Sequence, residues 1–264
     1  MIDGLHPEAC LWSDHEQEVL IFVSDIHLDT EVERDHDPSG FLEALGQSIP
    51  SDCSKLFILG DLFDTWVGDD LVTGSKVVIR EAFTQLAQRA QSDIKFYLMH
   101  GNRDFLLGQD FLKDLNAFLI DEVFILEMFG LRVGLTHGDA LCTDDQDYQH
   151  FREQVRQATW QTAFLAKPLD ERQAIASSIR AESERAKQGK SMAIMDVNPA
   201  AVEALVARHQ LQGLIHGHTH RPAKHSGKFT RWVLPDWDKN LGRGGWLRWD
   251  KSGFSAQGPF GVWT

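Results

Sequence analysis

Five times along this chain an apolar run gives way to small residues and then to side chains able to ligate a metal ion. Val19 to Val23 leads into Ser24-Asp25-Ile26-His27, and Lys55 to Leu59 into Gly60-Asp61-Leu62-Phe63-Asp64. Ile94 to Met99 leads into His100-Gly101-Asn102-Arg103-Asp104, Leu131 to Leu135 into Thr136-His137-Gly138-Asp139, and Gly213 to Ile215 into His216-Gly217-His218-Thr219-His220. Alternate residues of an extended chain share a face, so Asp25 with His27, and His216 with His218 and His220, are expected to point to one side. Strands of an α/β sheet bring their carboxyl ends to one edge, where ligands of such folds bind. Taken singly, Asp61 reads as a helix cap, Asn102 as a turn residue and His137 as a satisfied buried histidine. Together, at the same point of the strand and loop cycle, they predict an α/β domain with a site on its strand-end edge.

The inventory is chemically coherent. Asp25, His27, Asp61, Asn102, His137, His218 and His220 offer oxygen and nitrogen but no thiolate, which suits Mn²⁺, Fe²⁺ or Zn²⁺. Seven ligands are too many for one ion. Two ions with Asp61 between them use the set, and metals paired about 3.5 to 4 Å apart activate water and stabilise a phosphoryl displacement.

At 264 residues and 42% hydrophobic, the chain can bury a core of one large α/β domain, with room for an insertion. A net charge of −13 argues against a general nucleic-acid binder, which needs a positive field to attract phosphates. Cys10, Cys53 and Cys142 show no C-x-x-C spacing, so neither a disulfide framework nor a zinc ribbon is indicated, and a reducing compartment is the simpler expectation. No apolar run has the length of a bilayer span, and the opening residues lack the pattern of a secretory signal. A cytoplasmic protein is expected, one that could still lie on a membrane surface.

Other elements follow from local pattern. Asp37-Pro38 opens a predicted helix with Phe41, Leu42 and Leu45 on its apolar stripe. A helix is predicted from about Val72 to Gln91, and a hairpin around Phe129-Gly130. Thr230–Leu234 and Gly245–Trp249 read as strands. Five of the eight tryptophans follow residue 230 and read as core aromatics rather than membrane anchors.

Between His137 and His218 the chain is longer than a strand connection needs. Asp147 to Ala166 spaces Tyr148, Phe151, Val155, Trp160 and Phe164 for a helix face; Lys167-Pro168 breaks it; Leu169 to Gln188 forms a second helix with Ile175 and Ile179. The pattern predicts a helical hairpin over the metal edge. Residues 151–190 carry eight basic and five acidic side chains, so the segment is +3 while the remainder is −16. By pattern alone this is a solvated face with an apolar stripe docking it to the body; an anionic, partly apolar ligand or an anionic membrane surface is the other reading.

Asp25-x-His27, Gly60-Asp61-x-x-Asp64, Gly101-Asn102-Arg103-Asp104, His137-Gly138-Asp139 and Gly217-His218-Thr219-His220 resemble the complete motif set of the calcineurin-like metallophosphoesterases. The resemblance implies an α/β fold built as a four-layer α/β/β/α sandwich with a di-metal centre. One metal would be held by Asp25, His27, Asp61 and His220, the other by Asp61, Asn102, His137 and His218. His216 falls outside the pattern and goes to packing or a supporting position. Asp64, Asp104 and Asp139 would orient ligands or make turns, and Arg103, His137 and His218 would serve catalysis by meeting charge that builds on phosphorus.

The stretch from Arg180 through Ser183, Lys187 and Lys190 to Asn198-Pro199 is similar to the lid of the diphosphatase family that cleaves UDP-2,3-diacylglucosamine. His216 to Pro222 and Arg231 to Trp237 share that similarity, which covers about residues 19 to 250. It implies hydrolysis of the substrate's pyrophosphate to UMP and 2,3-diacylglucosamine 1-phosphate, with two divalent ions, usually Mn²⁺, on the cytoplasmic face of the inner membrane. Asn102, Arg103, Tyr148, Arg180, Ser183, Lys187, Lys190 and His218 would contact the phosphoglucosamine head, and the hairpin's apolar faces the acyl chains. The implied organisation is a body of residues 19–140 and 191–264, a lid at 141–190 and an extension at 1–18, with no nucleic acid or protein partner. A phosphoesterase for a soluble dinucleoside polyphosphate or cyclic nucleotide shares the metal motifs but needs no cationic hairpin. A non-enzymatic scaffold predicts missing ligands, and none is missing.

Overall fold

The computed structural model describes residues 10–12, 17–29, 49–71, 74–89, 93–187, 194–238, 240–259 and 261–263. The helix expected after Asp37-Pro38 lies outside the described residues. Alternation of side chains organises the rest. In β2 (Leu20–Val23), β3 (Lys55–Leu59) and β4 (Lys95–Met99), Leu20, Phe22, Phe57, Leu59, Tyr97 and Met99 enter one buried cluster while Ile21, Val23, Leu56, Ile58, Phe96 and Leu98 enter another. Such strands are apolar on both faces because both faces are covered.

These three strands pair in parallel and continue to β5 (Ala117–Ile120). On the other side of β2, β11 (Trp246–Asp250) and β12 (Gly253–Gln257) add antiparallel strands, giving the order β12-β11-β2-β3-β4-β5. The second six-stranded sheet contains β1 (Cys10–Trp12), β6 (Phe124–Met128), β7 (Leu131–Leu135), β8 (Gly213–His216), β9 (Ala223–Ser226) and β10 (Thr230–Val233), in the order β1-β6-β7-β8-β10-β9. The predicted hairpin around Phe129-Gly130 joins β6 to β7. Cys10–Trp12, in a stretch without a usable motif, pairs in parallel with β6 as an edge strand.

The two sheets face one another through a shared cluster of Leu20, Phe22, Phe57 and Leu59 from one and Leu126, Val133, Leu135 and Ile215 from the other. Outside the first sheet, Ile79, Phe83 and Leu86 of α1 (Gly74–Arg89) and Phe111 and Leu112 of α2 (Gln109–Leu115) close the second cluster. Outside the other sheet, Val202 and Val206 of α6 (Pro199–His209) pack with Leu211 and Leu214. This is the α/β/β/α layering expected. Trp232, Trp237, Trp246 and Trp249 are buried, and Trp263 donates its indole N–H to the carbonyls of Trp246 and Gln257, so the tail tryptophans are core groups.

The inserted segment departs from its prediction. Its first arm is two helices, α3 (Gln146–Val155) and α4 (Ala158–Leu165), separated at Arg156 and at Gln157, which is extended. The break has a physical cause. Arg152 and Arg156 are anchored on Asp139 and on the Gly101 carbonyl, whereas Trp160, in the next helix, meets Phe105 of the body. The second arm, α5 (Leu169–Lys187), follows Pro168. Phe164 is buried in the core, and Trp160, Leu169 and Ile175 pack against it, so these apolar residues dock the arms to the body. Among the described residues no helix is long and apolar enough to cross a membrane.

Candidate metal centre

The loops that leave β2, β3, β4, β7 and β8 converge, and unusual backbone geometry makes them do so. Asp25, His27, Asp61, His218 and His220 all have positive φ, between 51° and 67°. Non-glycine residues seldom adopt this region, and strain of this kind gathers at functional sites. Five of the seven predicted ligands share it. Main-chain bonds compensate: Ile26 and His27 donate to the Asp61 carbonyl at 2.9 and 3.0 Å, and Asp25 donates to the Gly60 carbonyl. Two glycines permit the close approach. A Cβ on Gly101 would lie 2.1 Å from Oδ1 of Asp61, and one on Gly217 would lie 2.2 Å from Oδ2 of Asp25.

On one side of the centre, the ligand atoms of Asp25, His27 and His220 lie within 4.8 Å of one another; on the other, those of Asp25, Asp61 and His137 do. Nε2 of His27 and Nε2 of His220 are 3.2 Å apart, and Oδ1 of Asp25 stands 3.3 Å from the latter. Asp61 faces both sides, with Oδ2 4.0 Å from Nε2 of His27 and Oδ1 3.7 Å from Nε2 of His137. Oδ1 of Asn102 lies 3.0 Å from Nε2 of His137 and 2.8 Å from Nδ1 of His218. All seven predicted ligands therefore meet, and His216 does not join them. It is fully buried, its Nδ1–H donates to the Gly217 carbonyl, and Arg231 donates to its Nε2 at 2.9 Å. The motif resemblance places His216 in packing, whereas the alternation that would set it on one side with His218 and His220 fails, because both of those residues have positive φ and the chain is no longer extended there.

The charges are incomplete without a cation. Oδ2 of Asp25 accepts from the Ser24 hydroxyl and the His218 N–H, but buried Oδ1 has no hydrogen-bond partner. Burial pushes the Asp61 carboxyl up to about 7, helped by Asp104 and Asp25. Burial lowers His27 and His218 to about 3, leaving neutral imidazoles able to ligate. Burial also opposes charge on His137, yet Asp61, Asp25 and Asp139 raise it to about 9. Its Nδ1–H donates to the Leu59 carbonyl at 2.8 Å, which turns Nε2 to the site. An orphaned carboxylate oxygen, two facing imidazole nitrogens and a carboxylate addressed from both sides fit a pair of divalent cations.

Around the ligands, buried Asp104 binds backbone N–H groups of both the Asp61 and the Asn102 loops. Asp139 is buried and accepts from the Tyr148 hydroxyl at 2.7 Å and from Arg152 at 2.8 Å. Tyr148 thus bonds to Asp139 while its ring stacks on His218. Arg103 binds Asp64, and Arg180 reaches the same carboxylate from α5. Ser183 is exposed on α5. The side chain of Lys187 and the whole of Lys190 lie outside the described residues. Sequence reasoning missed Asp236, a buried carboxylate 3.5 Å from Nδ1 of His220 that is also bound by Arg243. The Leu234-Pro235-Asp236-Trp237 run was its only signal.

The model of the calcineurin-like phosphoesterases matches residues 19–222, from β2 through the last histidine loop. The chain belongs to this family. As a calcineurin-like phosphoesterase it is a metal-dependent hydrolase, and the two clusters lie where its matched segment brings five strand ends together. The UDP-2,3-diacylglucosamine hydrolase of Bordetella pertussis is 46% identical over 218 residues, 80% of this chain and 84% of that protein. The enzyme of the same name from Escherichia coli is 46% identical over 206 residues, 78% of this phosphoesterase and 83% of the relative. A solved archaeal phosphodiesterase aligns at a TM-score of 0.46 and 14% identity over 91% of this chain and 99% of that one.

Proposed function

We propose that this phosphoesterase hydrolyses the pyrophosphate of UDP-2,3-diacylglucosamine to UMP and 2,3-diacylglucosamine 1-phosphate, a step of lipid A biosynthesis. The observation that carries the reading is the 46% identity, over four fifths of the chain, to hydrolases named for that substrate. The net positive charge of residues 151–190, beside the metal edge, supports it, because the substrate joins a pyrophosphate to acyl chains. In this reading residues 19–140 and 191–264 form the body, 141–190 the lid and 1–18 an extension.

Asp25, His27, Asp61 and His220 would hold one divalent ion and Asp61, Asn102, His137 and His218 the other, with Mn²⁺ the metal of choice. Such a pair supplies a nucleophilic water at neutral pH and withdraws charge from phosphoryl oxygens. The protein's own groups do the rest. Arg103, His137 and His218 meet negative charge as it grows on the uridine-side phosphorus. Asn102, Arg103, Tyr148, Arg180, Ser183, Lys187, Lys190 and His218 orient the phosphoglucosamine head. Water's oxygen joins the uridine-side phosphorus as its bond to the bridging oxygen breaks, and the bridging oxygen leaves with the sugar phosphate. Exposed Leu165 and Ile194, before and after α5 in the chain, support attachment to the inner-membrane surface as a peripheral protein.

Turnover of UDP-2,3-diacylglucosamine with Mn²⁺ in ¹⁸O-water, read by mass spectrometry of both products, tests the reading. One ¹⁸O atom is expected in UMP. Label in the sugar phosphate overturns the direction of attack. Cleavage of dinucleoside polyphosphates or cyclic nucleotides with the lipid substrate untouched overturns the substrate.

A further inference from the structure

A single carboxylate joins the inserted helices to the metal edge. Oδ1 of Asp64 accepts from Nη1 of Arg103 at 2.7 Å and lies 3.8 Å from Nδ1 of His27, while Oδ2 pairs with Nη1 of Arg180 on α5. Asp64 is 18% exposed and Arg180 48%, so the carboxylate is set in the body and the guanidinium reaches in from the lid. Arg103 is fixed from a second direction, since its backbone N–H donates to Oδ1 of Asp61 at 2.9 Å and its Nε lies 3.7 Å from Oδ2.

Long cationic side chains have many rotamers, and ordering them on a ligand opposes binding. A carboxylate between two guanidiniums orders both beforehand through charge-assisted bonds. Nδ1 of His27, buried and without a hydrogen-bond partner, also faces this carboxylate at 3.8 Å, beyond hydrogen-bond reach.

We propose that Asp64 is a positioning residue that holds Arg103 of the body and Arg180 of the lid side by side. A phosphate-bearing sugar then meets a preformed guanidinium pair. This rests on the function proposed above, and it fixes a sign. If Asp64 orders the pair, its removal weakens substrate binding; if the carboxylate merely competes with the phosphate, its removal tightens binding.

The test is steady-state turnover of UDP-2,3-diacylglucosamine by the Mn²⁺-loaded full chain carrying Asp64→Asn, Arg180→Gln or both, with metal content measured on each sample. KM is expected to rise about tenfold in Asp64→Asn while kcat changes less than threefold, and Arg180→Gln added to it is expected to raise KM less than twofold further. A KM that falls or stays level, multiplicative effects in the double variant, or a rise that follows lost manganese each overturns the proposal. Amide hydrogen exchange over Leu169–Lys187 reads the tie without substrate. Exchange is expected to quicken equally in both single variants and no further in the double, and unchanged exchange overturns the tie. Coupled exchange in a protein that leaves the lipid substrate intact would refute the function proposed above and keep the tie.

Discussion

Asp104 lies 43 residues beyond Asp61, yet its carboxylate accepts the Asp61 N–H at 3.3 Å. It also accepts from Leu62 at 2.7 Å, Phe63 at 3.3 Å and Gly101 at 2.8 Å. One fully buried anion, wrapped in backbone amides, thus shapes both the loop that presents Asp61 and the loop that presents Asn102.

Replacing Asp104 should therefore damage fold and site together. Asp104→Ala leaves four N–H groups without their acceptor and is expected to cost about 3 kcal/mol, since bonds to charged groups are each worth roughly 1.5–3 and do not add fully. Thermal melting should drop by about 10 °C, and bound metal should fall with it. A variant of unchanged melting temperature and metal content would remove Asp104 from this role.

Gly101→Ala isolates geometry from charge. The new methyl group would meet Oδ1 of Asp61 at 2.1 Å, so the carboxylate must move. Hydrolysis is expected to fall at least about a hundredfold, the scale on which roughly 1 Å displacements act, with circular dichroism retained. Activity within tenfold of the parent would show that the loops relax.

The Asp139 and Arg152 pair controls acid stability. Burial would raise Asp139, but His137, Arg152 and Arg156 outweigh it and hold the carboxyl well below the ordinary carboxylate range. A lowered folded pKa stabilises fully above the unfolded value near 4 and loses that contribution as pH falls through the folded one. Arg152→Gln removes a leading cation, so the folded pKa rises toward the unfolded one, less stability is held at neutral pH, and the thinner margin is exhausted at higher pH. The acid unfolding midpoint should rise by about half a pH unit or more, with roughly 3 kcal/mol lost at pH 7. Melting curves from pH 3 to 8 check this, and an unmoved acid limb would contradict it.

Arg172 anchors the other end of α5. Only 2% exposed, it donates through Nε to the Lys167 carbonyl at 3.0 Å and through Nη1 to Oδ1 of Asp70 at 2.9 Å. Asp70 is largely exposed, so the ion pair adds little and the buried bonds matter more. Arg172→Ala is expected to quicken amide exchange across Leu169–Lys187 about tenfold and leave Leu20–Val23 and Lys55–Leu59 unchanged. Exchange altered in those strands instead would place Arg172 in the core's global stability.

Much of this was legible because strand residues alternate and ligand types recur at the same point of the cycle. Asp25 and His27, or His218 and His220, announce themselves by spacing alone. The left-handed backbone of Asp25 and Asp61 does not, because it accompanies close approach of Gly217 to Asp25 and of Gly101 to Asp61 from distant loops. Nor does the turn at Arg156-Gln157, since helical spacing runs through it and the tether to Asp139 and Gly101 is tertiary. Asp236 escaped for a similar reason: only the folded chain brings it beside His220. The five candidate lid contacts from Tyr148 to Lys190 were named by resemblance, and the contacts formed by Tyr148 and Arg180 run to Asp139 and Asp64.

Five strand-end loops are proposed to build one centre for two divalent ions with Asp61 between them. Metal analysis of the purified chain loaded with Mn²⁺, beside Asp61→Ala, tests it most directly. Two ions per chain with magnetic coupling in the electron paramagnetic resonance spectrum are expected, and at most one uncoupled ion in the variant. One ion in the parent, or two coupled ions surviving the loss of Asp61, would contradict it.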